Sequence, residues 1–206
     1  LFSMLLAGPF VLTQKNLKRM LAYSSLEHVG LVCVGFGLNT PIAIFGALLH
    51  MGYHALTKPV LFFAAGNIHQ RYHVLDFRRL GSGIGGALPL TGLLFGVAAV
   101  AISGLPPFGL FFSELIIITG AFASDQAWVG GVALVALLVV FCGMLTRFTH
   151  LLLGRRDPGG GGESWSKSNV VALLLPLVVL LVLGLWVPAA AKQLLQQAAA
   201  IIGGEP

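Results

Sequence analysis

The chain has 206 residues, of which 57% are hydrophobic and only 9% are charged, and its formal net charge is +5. A soluble domain carries about 25% charged residues, so this surface cannot face water on all sides, and we predict an integral membrane protein. The positive charge does not indicate a nucleic-acid-binding protein, because the basic residues fall mostly in short segments between apolar runs and form no basic face.

Apolar runs long enough to cross a membrane follow one another along the chain. A helix needs about 20 apolar residues to cross a bilayer core about 30 Å thick. The first run, residues 1–12, looks like the end of a longer helix, so we expect the chain to be a C-terminal fragment. Five further helices are predicted at about residues 19–38, 42–68, 87–122, 128–153 and 170–187.

The predicted fold is therefore an all-α, polytopic transmembrane bundle with five complete helices and one partial helix. Residues 1–188 form the predicted membrane domain. Residues 189–206 form a short C-terminal tail, whose Ala- and Gln-rich part we interpret as an interfacial helix.

The Lys and Arg residues are distributed unequally between the two ends of these helices. If the helices alternate in direction, nine basic residues lie on one side and one lies on the other. By the positive-inside rule, we predict a multi-pass protein of the cell (inner) membrane with its C-terminus on the outer, periplasmic side. The nine are Lys15, Lys18, Arg19, Arg71, Arg78, Arg79, Arg155, Arg156 and Lys167, and the one is Lys192.

The first ionisable pair inside an apolar run is Glu27–His28, about two turns into its predicted helix. Together with Lys18 at the cytoplasmic end of that helix, the pair is a possible proton entry. A partly exposed helix end with no transport role is the alternative. Arg147 and His150, near the end of the run 128–153, are interpreted as snorkelling side chains.

The densest ionisable group is His50, His54 and Lys58. The i, i+4, i+8 spacing places them on one face of a helix, along a stripe about 12 Å long. Ionisable residues at membrane depth are costly and usually mark ion or proton pathways, so the stripe predicts a proton relay. Polar packing without transport is an alternative, and so is zinc at His50 and His54, although no acidic or cysteine ligand is near them in sequence.

Pro59 follows this stripe directly. It lacks a backbone donor and leaves the carbonyl of Ala55 without its usual partner, so we expect a kink. A carbonyl freed in this way needs water or a side chain inside a membrane, which would suit a hydrated cavity. A kink without functional meaning is the other interpretation.

The run 87–122 is interrupted by the helix-breaking residues Gly104, Pro106, Pro107 and Gly109, and Glu114 follows the interruption. We predict a discontinuous helix with an unwound centre around residues 104–109, of the kind that lines cavities in transporters. Glu114 is expected in about the first turn of the second half, where the helix dipole favours a carboxylate. An acid beside a broken helix indicates a proton or ion site, and a loop that re-enters only for packing is the alternative.

No pattern indicates an enzymatic reaction centre or a cofactor in this chain. Cys33 and Cys142 lie inside apolar runs without CxxC or a histidine at metal-ligand spacing. Residues 81–86 fit GxGxxG by their letters but lie between membrane helices, and residues 158–162 are interpreted as a linker. We expect no bound cofactor, no metal and no catalytic residue, and interpret the chain as a path for protons.

Three segments in this order resemble the antiporter-like membrane subunits of respiratory complex I, membrane-bound hydrogenases and Mrp sodium/proton antiporters. They are NLKRMLAYSSLEHVG (residues 16–30), HMGYHALTKPVLFFAAG (residues 50–66) and SGLPPFGLFFSEL (residues 103–115). The sequences SSLEHVG, FFAAGNI and GLPPFGLFFSE are most similar to the hydrogenase-4 component F type. The resemblance covers nearly the whole chain.

The resemblance implies a subunit of fourteen helices built from inverted repeats, of which this chain would be the last third. It implies that His50, His54 and Lys58 lie on the proton-relay helix and that Glu114 gates the outward half-channel. The lysine and glutamate of the N-terminal repeat have no counterpart here. The residue after the lysine is usually Ala or Ser in this family, so Pro59 is a departure.

The function implied is a proton-translocating membrane subunit of a redox-driven complex, either hydrogenase-4/formate hydrogenlyase-like or NADH:quinone oxidoreductase-like. Its expected partners are other membrane subunits of that complex, the lipid bilayer and protons, with sodium as the alternative ion. A subunit of an Mrp-type sodium/proton antiporter is the alternative in the same fold. A membrane scaffold whose buried charges only hold helices together is an alternative of another class.

Overall fold

The computed structural model describes residues 1–154 and 167–204, and every named element in that part of the chain is a helix. The all-α prediction is therefore confirmed. The helices are α1 (Phe2–Thr13), α2 (Leu17–Gly37), α3 (Pro41–Tyr72), α4 (Phe77–Leu80), α5 (Ile84–Ala87), α6 (Pro89–Ile102), α7 (Gly109–Phe122), α8 (Ala127–Leu152), α9 (Lys167–Leu185) and α10 (Ala189–Ile202).

The predicted interruption in the run 87–122 is present, because α6 ends at Ile102 and α7 begins at Gly109. These two helices have 14 residues each, so each alone is too short to cross a bilayer core. Among the described residues, α2 and α8 are each long and apolar enough to cross, and α9 and α10 meet the same test only when they are taken together across a bend of 76°. The helix α3 is longer than either, but its polar stripe lowers its mean hydropathy.

The helix α3 is the central element and packs against α2, α6, α7, α9 and α10. Thr40 caps its start by accepting a hydrogen bond from the backbone of Ala43, and Pro41 occupies its first turn. The helix continues through Pro59 for 32 residues, so the expected kink does not end it.

Small residues bring α7 close to α3. A Cβ added at Gly46 would lie 3.0 Å from the backbone nitrogen of Ile117, and one added at Gly120 would lie 3.1 Å from the Cα of Ala43. Because the two backbones approach so closely, side chains near the start of α7 reach the middle of α3.

Two basic loops lie at the same end of the bundle, as the alternation of helices predicts. The backbone nitrogen of Leu17 donates to Leu75 at 2.9 Å, and that of Phe77 donates to Lys15 at 2.8 Å. Arg147 also reaches this end, where it donates to the carbonyl of Leu12 at 3.1 Å and lies over the Phe77 ring. The third basic segment (Arg155 and Arg156) and the linker predicted at residues 158–162 lie outside the described residues.

Candidate functional site

Three imidazole rings, of which His28 and His50 are buried and His54 is half-buried, form a cluster in the bundle. The ring of His28 on α2 lies 5.2 Å from the ring of His50 and 5.2 Å from that of His54, both on α3. The His50 and His54 rings are 6.3 Å apart. His28 therefore joins the two histidines of the predicted stripe, whose spacing along α3 keeps them apart.

A row of hydrogen bonds runs from α2 through α3 to α7. The Nδ1 atom of His28 lies 3.1 Å from Nε2 of His50, and Nδ1 of His50 lies 3.0 Å from Oγ of Ser113. The Ser113 hydroxyl in turn donates to the carbonyl of Leu110 at 2.8 Å. His28, His50 and Ser113 are all fully or almost fully buried, so the row is shielded from bulk solvent.

The tautomers of the row follow from the single hydroxyl proton of Ser113. If that proton is donated to the carbonyl of Leu110, Nδ1 of His50 must carry the proton that points to Ser113. Nε2 of His50 then accepts from Nδ1–H of His28, and Nε2 of His28 is left without a proton. If the hydroxyl turns to His50 instead, every one of these assignments reverses.

Lys58 is held by α2 and not by an acidic residue. Its Nζ atom donates to Oγ of Ser24 at 2.6 Å and to the carbonyl of Leu21 at 2.9 Å. Among the described residues no carboxylate lies within ion-pair distance of this ammonium group, although Glu27 interacts with it electrostatically. The side chain is 6% exposed, so its amino group is buried and held by neutral oxygens.

Glu27 lies beside His28 and is 1% exposed. Its Oε2 atom is 3.6 Å from Nε2 of His28, while its Oε1 atom has no hydrogen-bond partner in the described part of the chain. Nε2 of His54 also has no such partner. Buried polar atoms without partners are uncommon in folded proteins, and here they lie at the ends of the histidine cluster.

Glu114 lies beside the cluster, near the start of α7 as expected, where it is the sixth residue of the helix. Its carboxylate points back toward the start of the helix, as helical side chains do, and packs against Gly104 in the interruption. Gly104 has φ +65°, a conformation that favours glycine. The Oε1 atom of Glu114 is 3.8 Å from Nδ1 of His28, so Glu114 meets the row at His28.

A cavity of about 290 Å³ adjoins this carboxylate. Most of its wall is apolar and comes from α7 and α8, and its polar lining comes from Glu27, His28, Ser103 and Glu114. The wall residues Leu115, Leu134 and Leu138 are exposed, so the cavity opens at the surface of α7 and α8. The helix interruption therefore lines a cavity that connects Glu114 to this surface.

The fold brings most of the predicted site residues together but separates one of them. His50, His54 and Glu114 surround His28, and Lys58 lies on the same face of α3. Lys18 is exposed near the start of α2, about 13 Å along the helix from Glu27. The interpretation of Glu27 and His28 as a partly exposed helix end is wrong, because both are buried.

Sequence reasoning missed two serines, Ser24, which accepts from Lys58, and Ser113, which ends the row. A signal for the first was present, since Ser24 and His28 are four residues apart and share a face of α2. Serine is common in membrane helices, however, and nothing marks Ser113 apart from its position next to Glu114. Only the packing of α7 against α3 reveals its role.

Comparison with known proteins identifies the family to which the chain belongs. The family model described as NADH:quinone oxidoreductase/Mrp antiporter, transmembrane, matches residues 1–146. The chain is 37% identical over 179 residues to a hydrogenase-4 component F homolog of Methylacidiphilum infernorum, which covers 86% of this chain and 35% of that protein. It is 34% identical to an NAD(P)H-quinone oxidoreductase chain 4 of Synechococcus elongatus, which covers 86% of this chain and 33% of that protein.

Solved structures share the fold. The membrane-bound sulfane sulfur reductase, an archaeal respiratory membrane complex, contains a chain that superposes with a TM-score of 0.85 at 27% identity, covering 98% of this chain and 40% of that one. A chain of respiratory complex I from Thermus thermophilus superposes with a TM-score of 0.86 at 24% identity, covering 99% of this chain and 43% of that one.

The chain spans about a third of the length of the curated relatives that it matches. The three motif segments noted in the sequence all lie inside the matched region of the family model. The chain belongs to the NADH:quinone oxidoreductase/Mrp antiporter transmembrane family and is an integral, multi-pass membrane protein.

Proposed function

We propose that this chain belongs to a proton-translocating membrane subunit of a redox-driven complex, of the hydrogenase-4 or the NADH:quinone oxidoreductase kind. The observation that carries the proposal is the buried row His28–His50–Ser113, with Glu114 beside it. Ionisable groups at membrane depth that contact one another usually form a relay. Family membership and the similarity to the two relatives named above support the same function.

In this proposal the proton passes from Glu27 through His28 to Glu114. When Nε2 of His28 takes a proton from the carboxyl group of Glu27, the ring becomes an imidazolium, whose Nδ1–H is stabilised by Nε2 of His50. Ser113 holds His50 in the tautomer whose Nε2 atom accepts this hydrogen bond. The imidazolium then releases Nδ1–H to the carboxylate of Glu114, whose Oε1 atom lies 3.8 Å from Nδ1, so Glu27 is left as a carboxylate and Glu114 is protonated.

Glu114, His54 and Lys58 take the remaining roles. Glu114 exchanges protons with the row and with the cavity, which gives it the position of a gate. His54 connects His28 to the part of α3 that carries Lys58. Electron transfer in partner subunits would alter the charge at Lys58 and at Glu114 in turn, and each change would move a proton along the row.

A sodium/proton antiporter subunit is the second candidate in the same family. The chain is 29% identical over 184 residues to a Na(+)/H(+) antiporter subunit of Alkalihalophilus pseudofirmus, which covers 89% of this chain and 36% of that protein. The two candidates differ in what drives the relay. Proton movement that requires sodium and no electron transfer supports the antiporter.

We further propose that the protein lies in the cell (inner) membrane with its C-terminus on the outer side. The two basic loops that share one end of the bundle support this orientation. Residues 1–188 then form the membrane domain and residues 189–206 a tail. Its helix α10 presents the exposed apolar residues Leu194, Ile201 and Ile202, as an interfacial helix would.

The test is to introduce Glu114→Gln and Lys58→Ala separately into the full-length protein in its assembled complex. Proton pumping into sealed vesicles is measured while electron transfer is monitored in parallel. Because positioned proton-transfer groups contribute about 100-fold or more to rates, pumping is expected to fall by at least about tenfold in each variant. Lys192→Ala, in the exposed tail, is the control and should pump normally.

Unchanged pumping in both variants, with the complex assembled, would overturn the relay and favour a scaffold role. If Glu114→Gln loses both pumping and assembly, Glu114→Asp, which keeps the carboxylate, distinguishes a structural effect from a loss of proton transfer. Under the proposal that variant pumps faster than Glu114→Gln.

A further inference from the structure

The side chains of His28, His50 and Glu114 meet in an arrangement that suits a metal ion. Each offers one potential ligand atom, and these three atoms lie within 4.8 Å of one another. They come from three different helices, α2, α3 and α7. In the sequence, no acidic residue lies near His50, which disfavoured a zinc site there. In the fold, Glu114 of α7 lies beside His50 and provides an acidic ligand.

The distances agree with a tetrahedral ion. Zinc binds imidazole nitrogen and carboxylate oxygen at about 2.0–2.2 Å, which requires ligand atoms about 3.3–3.6 Å apart at tetrahedral angles. The nitrogens of His28 and His50 are 3.1 Å apart, and Nδ1 of His28 is 3.8 Å from Oε1 of Glu114. The third pair, Nε2 of His50 and the carboxylate of Glu114, lies within 4.8 Å, so a movement of the Glu114 carboxylate toward His50 by about 1 Å would complete three bonds.

A second observation also indicates metal ligands. The outer ring nitrogen of each histidine faces an oxygen, from Ser113 for His50 and from Glu27 for His28. Metal-binding histidines usually donate their other ring N–H to an oxygen, which fixes the tautomer. Nδ1 of His50 lies 3.0 Å from Oγ of Ser113, and Nε2 of His28 lies 3.6 Å from Oε2 of Glu27. With these two N–H groups directed outward, both inward nitrogens present lone pairs to the same point.

The ligand types select the ion. Two imidazoles with one carboxylate suit zinc and its first-row neighbours, whereas calcium and magnesium prefer oxygen ligands alone. His28 and Glu114 also line the cavity of about 290 Å³. The cavity gives an ion a route to the ligands and leaves room for water as a fourth ligand.

We propose that His28, His50 and Glu114 form an inhibitory binding site for Zn²⁺. A bound ion would occupy the two ring nitrogens that share a proton in the row and the carboxylate beside them. Zinc would therefore stop proton transfer reversibly, a consequence that rests on the proposed function. The binding itself does not depend on transport.

Binding is tested with Co²⁺ as a spectroscopic substitute, on the full chain purified in lipid nanodiscs. His69 and His73 are an exposed pair four residues apart with rings 6.5 Å apart, and they could bind metal at the surface. The double variant His69→Gln/His73→Gln is therefore the background for all samples. We expect one Co²⁺ per chain with an intense tetrahedral visible spectrum that Zn²⁺ abolishes.

Two variants separate ligation from a structural effect. His50→Gln should weaken Co²⁺ and Zn²⁺ binding by at least about 100-fold, since even the loss of an outer-shell partner costs about 10–100-fold. His28→Cys should retain binding and add a thiolate-to-cobalt charge-transfer band, because thiolate is itself a zinc and cobalt ligand. A merely structural role for His28 would produce no such band.

A spectrum lacking tetrahedral Co²⁺, or equal affinity in His50→Gln, would overturn the site and leave the proposed relay untouched. The consequence for transport is measured separately, as zinc inhibition of proton pumping by the assembled complex. Inhibition should be removed by chelation. Zinc that binds at this site without slowing pumping would instead contradict the relay through His28 and His50.

Discussion

The Nδ1 atom of His28 lies 3.1 Å from the Nε2 atom of His50, and this contact joins α2 to α3 in the interior of the bundle. Two imidazole nitrogens at this distance share one proton, so one ring donates and the other accepts. The donor and the acceptor are decided by Ser113, the next group in the row. The tautomer of His28 on α2 therefore depends on the orientation of the Ser113 hydroxyl on α7.

Replacing Ser113 should interrupt this dependence. In Ser113→Ala, Nδ1 of His50 loses its partner, and leaving a buried polar group unsatisfied costs about 1–3 kcal/mol. We expect lower thermal stability in nanodiscs and proton pumping reduced by about tenfold or more. Ser124→Ala is the matched control, because Ser124 also donates to a carbonyl three residues earlier but contacts no histidine. Equal pumping in the two variants would contradict a role for Ser113.

Replacing Ser24 tests the environment of Lys58. Ser24→Ala removes the acceptor 2.6 Å from Nζ and leaves the carbonyl of Leu21 to accept from the ammonium group. An ammonium group with fewer partners inside a membrane is costly, so we expect reduced pumping with the complex still assembled. In Ser25→Ala, which loses a bond to the same carbonyl of Leu21 but none to Lys58, pumping should remain near normal. The prediction fails if both variants pump alike.

Gly104 should tolerate no side chain. Its φ of +65° costs a non-glycine residue about 1–2 kcal/mol, and a Cβ at this position would collide with the carboxylate of Glu114. We expect Gly104→Ala to lower thermal stability and to displace Glu114, with loss of pumping. Gly131→Ala in α8 is the control, since a Cβ there meets nothing within 4 Å. Its thermal midpoint should be equal to or higher than that of the unmodified protein, because alanine favours helix over glycine.

Cysteine labelling in intact cells tests the proposed orientation. Cys33 and Cys142 are first replaced by alanine, and single cysteines are then introduced by Lys192→Cys and Arg78→Cys, both at exposed positions. A membrane-impermeant maleimide should label the first without permeabilisation and the second only after it. The reverse pattern would show that the C-terminus is cytoplasmic.

The sequence was sufficient to predict the long helices and the interruption at residues 104–109, but not the four-residue helices α4 and α5. The reasons are local, since apolar length selects membrane helices and Gly and Pro residues break them. Glu114 lies within one residue of its predicted place in the second half, because its helix begins at Gly109. The sequence did not show that its carboxylate reaches back to the interruption, which it does because helical side chains point toward the start of the helix.

The sequence by itself determined that His50, His54 and Lys58 share a face of one helix, because the helical period of 3.6 residues fixes which positions coincide. It could not determine what faces that stripe. Only the tertiary structure decided that His28, Ser24 and Ser113 supply its partners, since these contacts depend on how α2 and α7 pack against α3. That packing is set by small residues such as Gly46 and Gly120, whose effect on distant side chains no local pattern reveals.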